Sequence, residues 1–153
     1  MVRGSIVSAV VAFCAIDSFL NNVVGFTLCC GKSMEPTIDR RGEVVVIDRL
    51  SRMFGWFERG DVVIARSPYD PNMLVCKRIV GSEGDLVPPT RADADAVSSD
   101  MTSYQARSTK RVAVPRGHVW LQGDNLPASR DSREYGPVPL ALLTGRAVCA
   151  VRW

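Results

Sequence analysis

The sequence is poor in the side chains that most often supply metal ligands and general bases. It contains one histidine, His118, and its five cysteines are odd in number and lack the paired C-x-x-C spacing of a zinc site. This composition gives no reason to expect a metal or another cofactor. We interpret the cysteines mostly as small core residues, although an oxidising compartment could link Cys29 or Cys30 to another cysteine.

A block of like charge is also missing. Nineteen Lys and Arg against sixteen Asp and Glu give a formal net charge of +3, and the basic residues are scattered among acidic ones. This distribution argues against a nucleic-acid-binding surface. The 153 residues are enough for one domain with a real core and too few for two.

The chain lacks a hydrophobic run long enough to cross a bilayer comfortably. Residues 5–16, SIVSAVVAFCAI, carry no charge, but as a helix they would span only about 18 Å of a hydrocarbon core about 30 Å thick. Extending the run to Leu28 brings in Asp17 and two asparagines, which share one arc of a helical wheel. We therefore predict that residues 1–28 form an N-terminal membrane anchor or an amphipathic helix, with a processed leader as the alternative.

Beyond this segment the sequence changes to a β pattern. Short runs of β-branched residues bounded by Gly, Pro and Asp are typical of strands. Six runs fit: residues 43–50, 61–67, 73–82, 111–115, 118–124 and 145–153. We predict a mainly β domain over residues 29–153. Residues 50–58 could form a short connector, and residues 88–110, which are polar and aperiodic, are predicted to be a flexible loop.

The turn GKSMEPT places Ser33 directly before the first of these predicted strands. A serine nucleophile needs a base, and the usual base is histidine. His118, however, follows a turn glycine and begins an apolar strand, and no G-x-S-x-G motif is present. We therefore interpret His118 as structural and look for a different base.

A lysine whose pKa is lowered by burial can also deprotonate a serine. In a strand over residues 73–82, alternation places Val75, Lys77 and Ile79 on one apolar face. Lys77 is therefore the candidate base, although a strand lysine is more often solvated at an edge. Ser33 taken alone would likewise be an ordinary turn residue.

A third stretch, GDNLPASRDSREYGPVP at residues 123–139, is dense in turn formers and hydrogen-bonding side chains and lies between two apolar runs. Alone it is a long polar loop. It follows the serine turn and the lysine strand in the sequence. Three such features in this order are unlikely to be coincidental, which favours an enzyme site.

The stretches GKSMEPT, GDVVIARSPYDPNMLVCKRIVGSEGD and GHVWLQGDNLPASRDSREYGPV resemble, in that order, the sequence boxes of type I signal peptidases. These are Ser/Lys-dyad membrane proteases that remove leader peptides. The resemblance covers nearly the whole chain after residue 28 and implies a signal-peptidase-like β-barrel or β-sandwich catalytic domain with an N-terminal membrane-associated helix.

Within that family the chain is most similar to the mitochondrial inner membrane branch, of the catalytic subunit 1 type. The compact size and the stretches KRIVG, GHVWLQGDNL and DSREYGPVPLALLTGR carry this similarity. Subunits of the second type typically have Asn where Arg133 stands. Relatives of the endoplasmic reticulum replace the lysine by histidine, so Lys77 excludes that branch.

The resemblance implies a role for each matching residue. Ser33 corresponds to the nucleophile, and its backbone N–H to one oxyanion donor. Lys77 corresponds to the general base, and Ser129 to the serine that hydrogen-bonds and orients the lysine. Asp131 and Arg133 correspond to a salt-bridged pair that shapes the site.

The resemblance also implies partners and a location. Substrates would be leader-peptide-bearing precursor proteins, bound as an extended segment along a strand edge. The chain would sit in the mitochondrial inner membrane with its catalytic domain facing the intermembrane space, as a heterodimer with a second inner membrane protease catalytic subunit. No metal, cofactor or nucleic acid is implied. Gly31 stands where some bacterial members have a serine as second oxyanion donor, so this donor is not identified.

Other readings remain open at this point. Self-cleaving repressors share a Ser/Lys dyad on a related β-domain, but they need a DNA-binding region, for which the 28 mostly apolar N-terminal residues offer no basis. A noncatalytic membrane-anchored assembly module is a second alternative, because fold alone does not prove activity. A signal peptidase of another compartment is the third.

Overall fold

The computed structural model describes residues 2–88 and 111–152. The described chain begins with a helix, α1, and continues into strands joined by short helices and turns. The strands are β1 Val24–Cys29, β2 Glu43–Asp48, β3 Val62–Arg66, β4 Leu74–Gly81, β5 Leu86–Val87, β6 Val112–Ala113, β7 His118–Gln122, β8 Val138–Pro139 and β9 Leu143–Val151. The helices are α1 Val2–Val23, α2 Leu50–Phe54 and α3 Ser132–Tyr135, and 3-10 turns span Lys32–Met34, Leu126–Ala128 and Leu140–Leu142.

Seven of the strands form one antiparallel sheet in the order β1-β2-β9-β3-β4-β7-β8, and β5 and β6 form a separate ribbon. The large sheet curls into a half-barrel. The prediction of a mainly β fold is confirmed. The expected signal-peptidase-like β-barrel or β-sandwich takes the form of this single curled sheet. Its end strands β1 and β8 pair with β2 and β7 and not with each other in the described part of the chain, so the sheet is open.

Strand alternation explains how the sheet forms its core. The side chains of β3, β4 and β7 that point inward meet those of β8 and β9 in a cluster, the inner core, made of Val63, Ala65, Ile79, Val119, Leu121, Val138 and Leu143. On the other face, a smaller group packs the first 3-10 turn against β2. This turn cluster consists of Met34, Ile38 and Val45.

All six predicted strand runs contain a strand, and the connector after β2 is helical over Leu50–Phe54. Three strands were not predicted. Two of them, β5 and β8, have two residues each, which is too short for a pattern. The third, β1, leaves Phe26 and Leu28 exposed, so its sequence reads as a continuation of the apolar N-terminal segment.

The N-terminal segment predicted over residues 1–28 divides into α1 and most of β1. Several large apolar side chains of α1 are exposed, including Phe13, Ile16 and Phe19. In the described residues, none of the helices is both long and apolar enough to cross a membrane. The predicted loop over residues 88–110 lies, apart from Pro88, outside the described residues.

Candidate functional site

A tight turn positions Ser33. The residue before the 3-10 turn, Gly31, has φ 127°, a backbone conformation that favours glycine. The following Met34 is 2% exposed and anchors the turn in the turn cluster. From the other side, the carbonyl of Ser33 accepts a hydrogen bond of 3.0 Å from the backbone N–H of Asn125. Ser33 is half-buried between these contacts.

Lys77 lies in the middle of β4, opposite Val63 of β3, and is only 4% exposed. Ile79 on the same face belongs to the inner core, and Val75 packs against it, as the alternation predicted. Burial lowers the pKa of Lys77, and the nearby Asp131 carboxylate opposes this effect without cancelling it. The amine is therefore easier to deprotonate than that of a solvated lysine.

Ser33 and Lys77 open onto the same cleft, which has a volume of about 500 Å³. The 3-10 turn, the end of β1 and the first half of β4 form its walls. Strand β7 pairs with β4 only from Arg78 onward. Among the described strands, none pairs with residues 74–77 on the side away from β3, so this edge of β4 faces the cleft unpaired.

Asp131 and Arg133 form the predicted ion pair beneath the cleft. Asp131 is fully buried and caps α3, and its carboxylate accepts bonds of 2.8 and 2.9 Å from the Arg133 guanidinium and one of 3.1 Å from the backbone N–H of Gly123. Burial, the largest single effect, raises the pKa of Asp131, but the combined interactions with Arg133, Ser129 and the backbone N–H of Gly123 outweigh it, and the pKa is lowered. Arg133 also donates to the carbonyl of Leu126, at 2.7 Å, which fixes the loop before α3.

The Ser129 hydroxyl is buried and close enough to Asp131 to contribute to lowering its pKa, yet it makes no hydrogen bond of good geometry among the described residues. The bond from Lys77 that the resemblance implies is therefore not formed in this structure. A Cβ on Gly123 would lie 2.3 Å from the Ser129 Oγ and 2.5 Å from the Ser33 carbonyl oxygen. Only glycine fits there, and it lets the two serine segments approach each other.

Sequence reasoning missed a second ion pair beside the cleft. Arg78 follows Lys77 in β4, so alternation places it on the opposite face, but no partner was predicted for it. In the structure the Arg78 guanidinium donates two hydrogen bonds, of 2.8 and 2.7 Å, to Asp124, which also accepts one from the Thr37 hydroxyl. Asp124 belongs to the third stretch, residues 123–139, within the turn sequence GDN. An acidic residue in that turn was a sequence signal that could have suggested a partner for Arg78.

His118 begins β7 opposite Pro139, and its Nδ1 lies 2.9 Å from the carbonyl of Arg116. The interpretation of His118 as a strand-starting residue is confirmed, and it does not line the cleft. Across residues 2–88 and 111–152, no group of three or more potential ligand side chains is placed to hold a metal ion.

Residues 2–153 match the family described as signal peptidase, peptidase S26. Over 143 residues the chain is 44% identical to the mitochondrial inner membrane protease subunit 1 of Xenopus tropicalis. This match covers 94% of this chain and 75% of that protein. The subunit 1 of Homo sapiens is 46% identical over 136 residues, 89% of this chain and 72% of that one. The mitochondrial inner membrane protease subunit 2 of Danio rerio is 36% identical over 121 residues. This match covers 76% of this chain and 58% of that protein.

Among solved structures, the chain is similar to a crystal structure of a signal peptidase I from Enterococcus faecalis. The two are 26% identical, the match covers 60% of this chain and 97% of the other, and the TM-score is 0.43.

Proposed function

Because the chain belongs to the signal peptidase family, peptidase S26, and is a serine peptidase of the signal peptidase I type, we propose that Ser33 and Lys77 form its catalytic dyad. One observation carries this proposal: a lysine that is 4% exposed, with a lowered pKa, opens onto the same cleft as a serine held in a tight turn. A buried amine of this kind is neutral more often than a solvated one and can act as a base.

The proposed reaction proceeds through an acyl-enzyme. The neutral amine of Lys77 takes the proton of the Ser33 hydroxyl while the serine Oγ bonds to the carbonyl carbon of the substrate. The resulting ammonium then protonates the leaving amine as the peptide bond breaks. Water, deprotonated by the same lysine, attacks the ester and releases the carboxylic acid, which regenerates both residues.

The negative oxygen of the intermediate needs hydrogen-bond donors in fixed positions. The backbone N–H of Ser33 is the proposed donor, because the 3-10 turn and the bond to Asn125 hold this peptide segment rigidly. Gly31 has no side chain with which to supply a second donor.

The ion pair of Asp131 and Arg133 is proposed to hold the neighbouring loop so that Ser129 faces the lysine. Ser129 has a buried hydroxyl with no hydrogen bond of good geometry, and such a group is costly unless it finds a partner. We assign to it the acceptor role toward the Lys77 ammonium that forms during the reaction. The Asp131 carboxylate stabilises the same ammonium through space.

The proposed substrates are leader or sorting peptides of precursor proteins delivered to the mitochondrial intermembrane space. The unpaired edge of β4 at residues 74–77 supports an extended binding mode, because it can hydrogen-bond a peptide as an added strand beside Ser33. The relatives named mitochondrial inner membrane protease support the location at that membrane.

Residues 1–28 are proposed to hold the enzyme at the inner membrane, with the catalytic domain facing the intermembrane space. The exposed apolar side chains of α1 support association with a lipid surface. Tethering enzyme and substrate to one membrane raises their effective concentration. Relatives named subunit 1 and subunit 2 support a heterodimer with a second catalytic subunit.

The test is cleavage of a membrane-tethered mitochondrial precursor by the wild-type chain, Ser33→Ala and Lys77→Met, each expressed with the second subunit and adjusted to equal abundance. Both substitutions should reduce cleavage by at least about 100-fold. Lys32→Met is the matched control, because Lys32 is exposed and also borders the cleft; it should retain cleavage within a few-fold. Wild-type rates for Lys77→Met would overturn the dyad and make His118 the next base to test.

A further inference from the structure

Two cysteine side chains meet at the wall of the cleft. Cys29 is the last residue of β1 and Cys76 lies in β4. Strands β2, β9 and β3 separate β1 from β4 in the sheet. The curl of the sheet nevertheless brings both residues to the same cleft and packs both against the turn cluster, and the two thiols are close enough to shift each other's pKa.

The geometry selects this pair among the five cysteines. Cys30 also borders the cleft, but its sulfur lies over Gly42, where an added Cβ would be 3.0 Å from it. Cys14 and Cys149 are exposed, whereas Cys29 and Cys76 are half-buried. All five cysteines carry free thiols, so the contact between the pair in the structure is noncovalent.

We propose that Cys29 and Cys76 are a redox modification site, at which a small-molecule disulfide converts the two thiols reversibly into one intramolecular disulfide bridging β1 and β4. The site borders the proposed dyad, since Cys76 directly precedes Lys77 in β4 and Cys29 precedes the serine turn. Both thiols line an open cleft, which gives a small disulfide a route to them.

The first step is an attack by Cys29. The hydrogen bond from Cys76 lowers the pKa of Cys29, so Cys29 is the thiol that more readily becomes a thiolate, and the thiolate is the attacking species. Its sulfur bonds to one sulfur of the small disulfide. The S–S bond of that molecule breaks and one small thiolate leaves, which produces a mixed disulfide on Cys29.

The second step closes the bridge. In the reduced protein, the hydrogen bond with Cys29 and burial raise the pKa of Cys76. Once Cys29 is capped, its thiolate no longer opposes ionisation of Cys76, and the neighbouring Lys77 favours this ionisation when its amine is protonated. Cys76 gives its proton to solvent and attacks the Cys29 sulfur, releasing the second small thiolate. Two protein thiols are oxidised and one small disulfide is reduced to two thiols.

The experiment uses the full chain in detergent with the three exposed cysteines replaced, Cys14→Ser, Cys30→Ser and Cys149→Ser. The folded protein is treated with oxidised glutathione, quenched with a thiol-blocking reagent, digested and analysed by mass spectrometry. We expect both remaining thiols to be lost, a cross-linked peptide pair containing Cys29 and Cys76, no glutathione adduct, and full recovery of the thiols with dithiothreitol. Adding Cys76→Ser should leave Cys29 as a glutathione adduct.

A register-shifted variant is the matched control. The chain with Cys14→Ser, Cys29→Ser and Cys149→Ser retains Cys30 and Cys76, so its N-terminal thiol is shifted by one residue, to the position whose sulfur lies over Gly42. It should give an adduct at Cys30 and no cross-link. Equal cross-linking in this control, or no cross-link between Cys29 and Cys76 in the first variant, overturns the proposal.

Two further arms keep the result interpretable. If the serine replacements prevent folding, as judged by circular dichroism, the same peptide map of the wild-type chain decides: a Cys29–Cys76 cross-link supports the site and its absence overturns it. The Ser33→Ala chain should cross-link like its parent, because the thiol chemistry does not use the nucleophile. This arm separates the outcome from that of the proposed protease mechanism.

Discussion

Lys77 carries an amine into the interior of the sheet, next to the inner core. A charged ammonium at such a position loses most of its hydration, and the Asp131 carboxylate offsets only part of that loss. The same burial that lowers the pKa of Lys77, as its proposed role requires, therefore reduces the stability of the fold. Costs of this kind are common at sites selected for activity.

The first prediction concerns the stability of Lys77→Met as a function of pH. Because the folded-state pKa of Lys77 is lowered from 10.5, the unfolded chain binds more protons than the folded chain between these two values. The stability of the wild type therefore rises with pH through this window. The variant has no such dependence, so it should be more stable than the wild type at pH 7, by a margin that shrinks as the pH approaches 10.5.

Urea midpoints of both proteins between pH 7 and pH 10 measure this margin. The exposed Lys32→Met serves as the control for loss of a lysine in general. A margin for Lys77→Met that stays constant with pH would show that burial does not lower the pKa.

The second prediction contrasts two buried serines. Ser129 makes no hydrogen bond of good geometry, whereas the Ser132 Oγ accepts one of 2.9 Å from the backbone N–H of Leu121. Ser132→Ala leaves a buried donor unpaired and should cost about 1–3 kcal/mol, while Ser129→Ala should be neutral or slightly stabilising. If Ser129 has the proposed orienting role toward Lys77, cleavage by Ser129→Ala should fall at least about tenfold.

Chemical denaturation and precursor cleavage, measured on the same preparations, separate the two effects. A large loss of stability in Ser129→Ala would mean that its hydroxyl has a structural partner and would contradict the orienting role.

Strand β4 is the element that joins the two sides of the site. Lys77 faces the inner core, while Arg78 on the opposite face binds Asp124, which follows β7. Because Asp124 also accepts a bond from Thr37, the strand, the loop after β7 and the segment after the serine turn meet at one carboxylate. This contact helps to hold the serine turn against the strand that carries the lysine.

The third prediction tests that contact. The hydrogen bonds from Arg78 lower the pKa of Asp124 from 3.8, so the contact contributes stability above pH 3.8 that is lost as the pH falls through the folded-state pKa. Asp124→Asn should therefore be less stable than the wild type by about 1–3 kcal/mol near neutral pH. The difference should vanish in acid.

Urea titrations at pH 7, 5, 4 and 3 provide the measurement. Glu83→Gln is the matched control, because Glu83 pairs with Arg116 in solvent and such exposed pairs are worth no more than about 1 kcal/mol. A loss of stability for Asp124→Asn as small as that of Glu83→Gln would show that the contact of Asp124 with Arg78 does not stabilise the fold.

At the scale of the whole molecule, α1 and the sheet are distinct parts of the described chain. The inner core, the turn cluster and a third cluster of Val87, Val114 and Trp120 draw their buried side chains from residues 34–143. α1 contacts β1, and the carbonyl of its last residue, Val23, accepts a hydrogen bond of 2.9 Å from the backbone N–H of Arg49. The sheet should therefore fold without most of the helix.

The fourth prediction follows from this division. Deletion of residues 1–21 should change the thermal midpoint by less than about 5 °C and abolish binding to phosphatidylcholine vesicles. Circular dichroism and vesicle flotation measure the two properties on the same protein. A shortened chain that fails to fold would show that α1 belongs to the catalytic domain, and one that still floats would place the lipid contact elsewhere.

Much of this architecture was predictable from local patterns. Strand periodicity located six of the strands and the face of Lys77, since side chains alternate with period two whatever the strand pairs with. The turn before β2 and the third stretch could be recognised because turn residues act through their own backbone. The three strands that were missed are either two residues long or, as in β1, apolar and exposed at the sheet edge.

By itself, then, the sequence determined the fold class, the burial of Lys77 and its order after Ser33, because each depends on neighbours a few positions away. Only the tertiary structure decided that the sheet stays open, that Arg78 reaches Asp124, and that Cys29 meets Cys76. These contacts join residues far apart in the chain, and periodicity specifies which face of a strand is buried but not which strands meet or how far the sheet curls. Pairing order and curl brought them together.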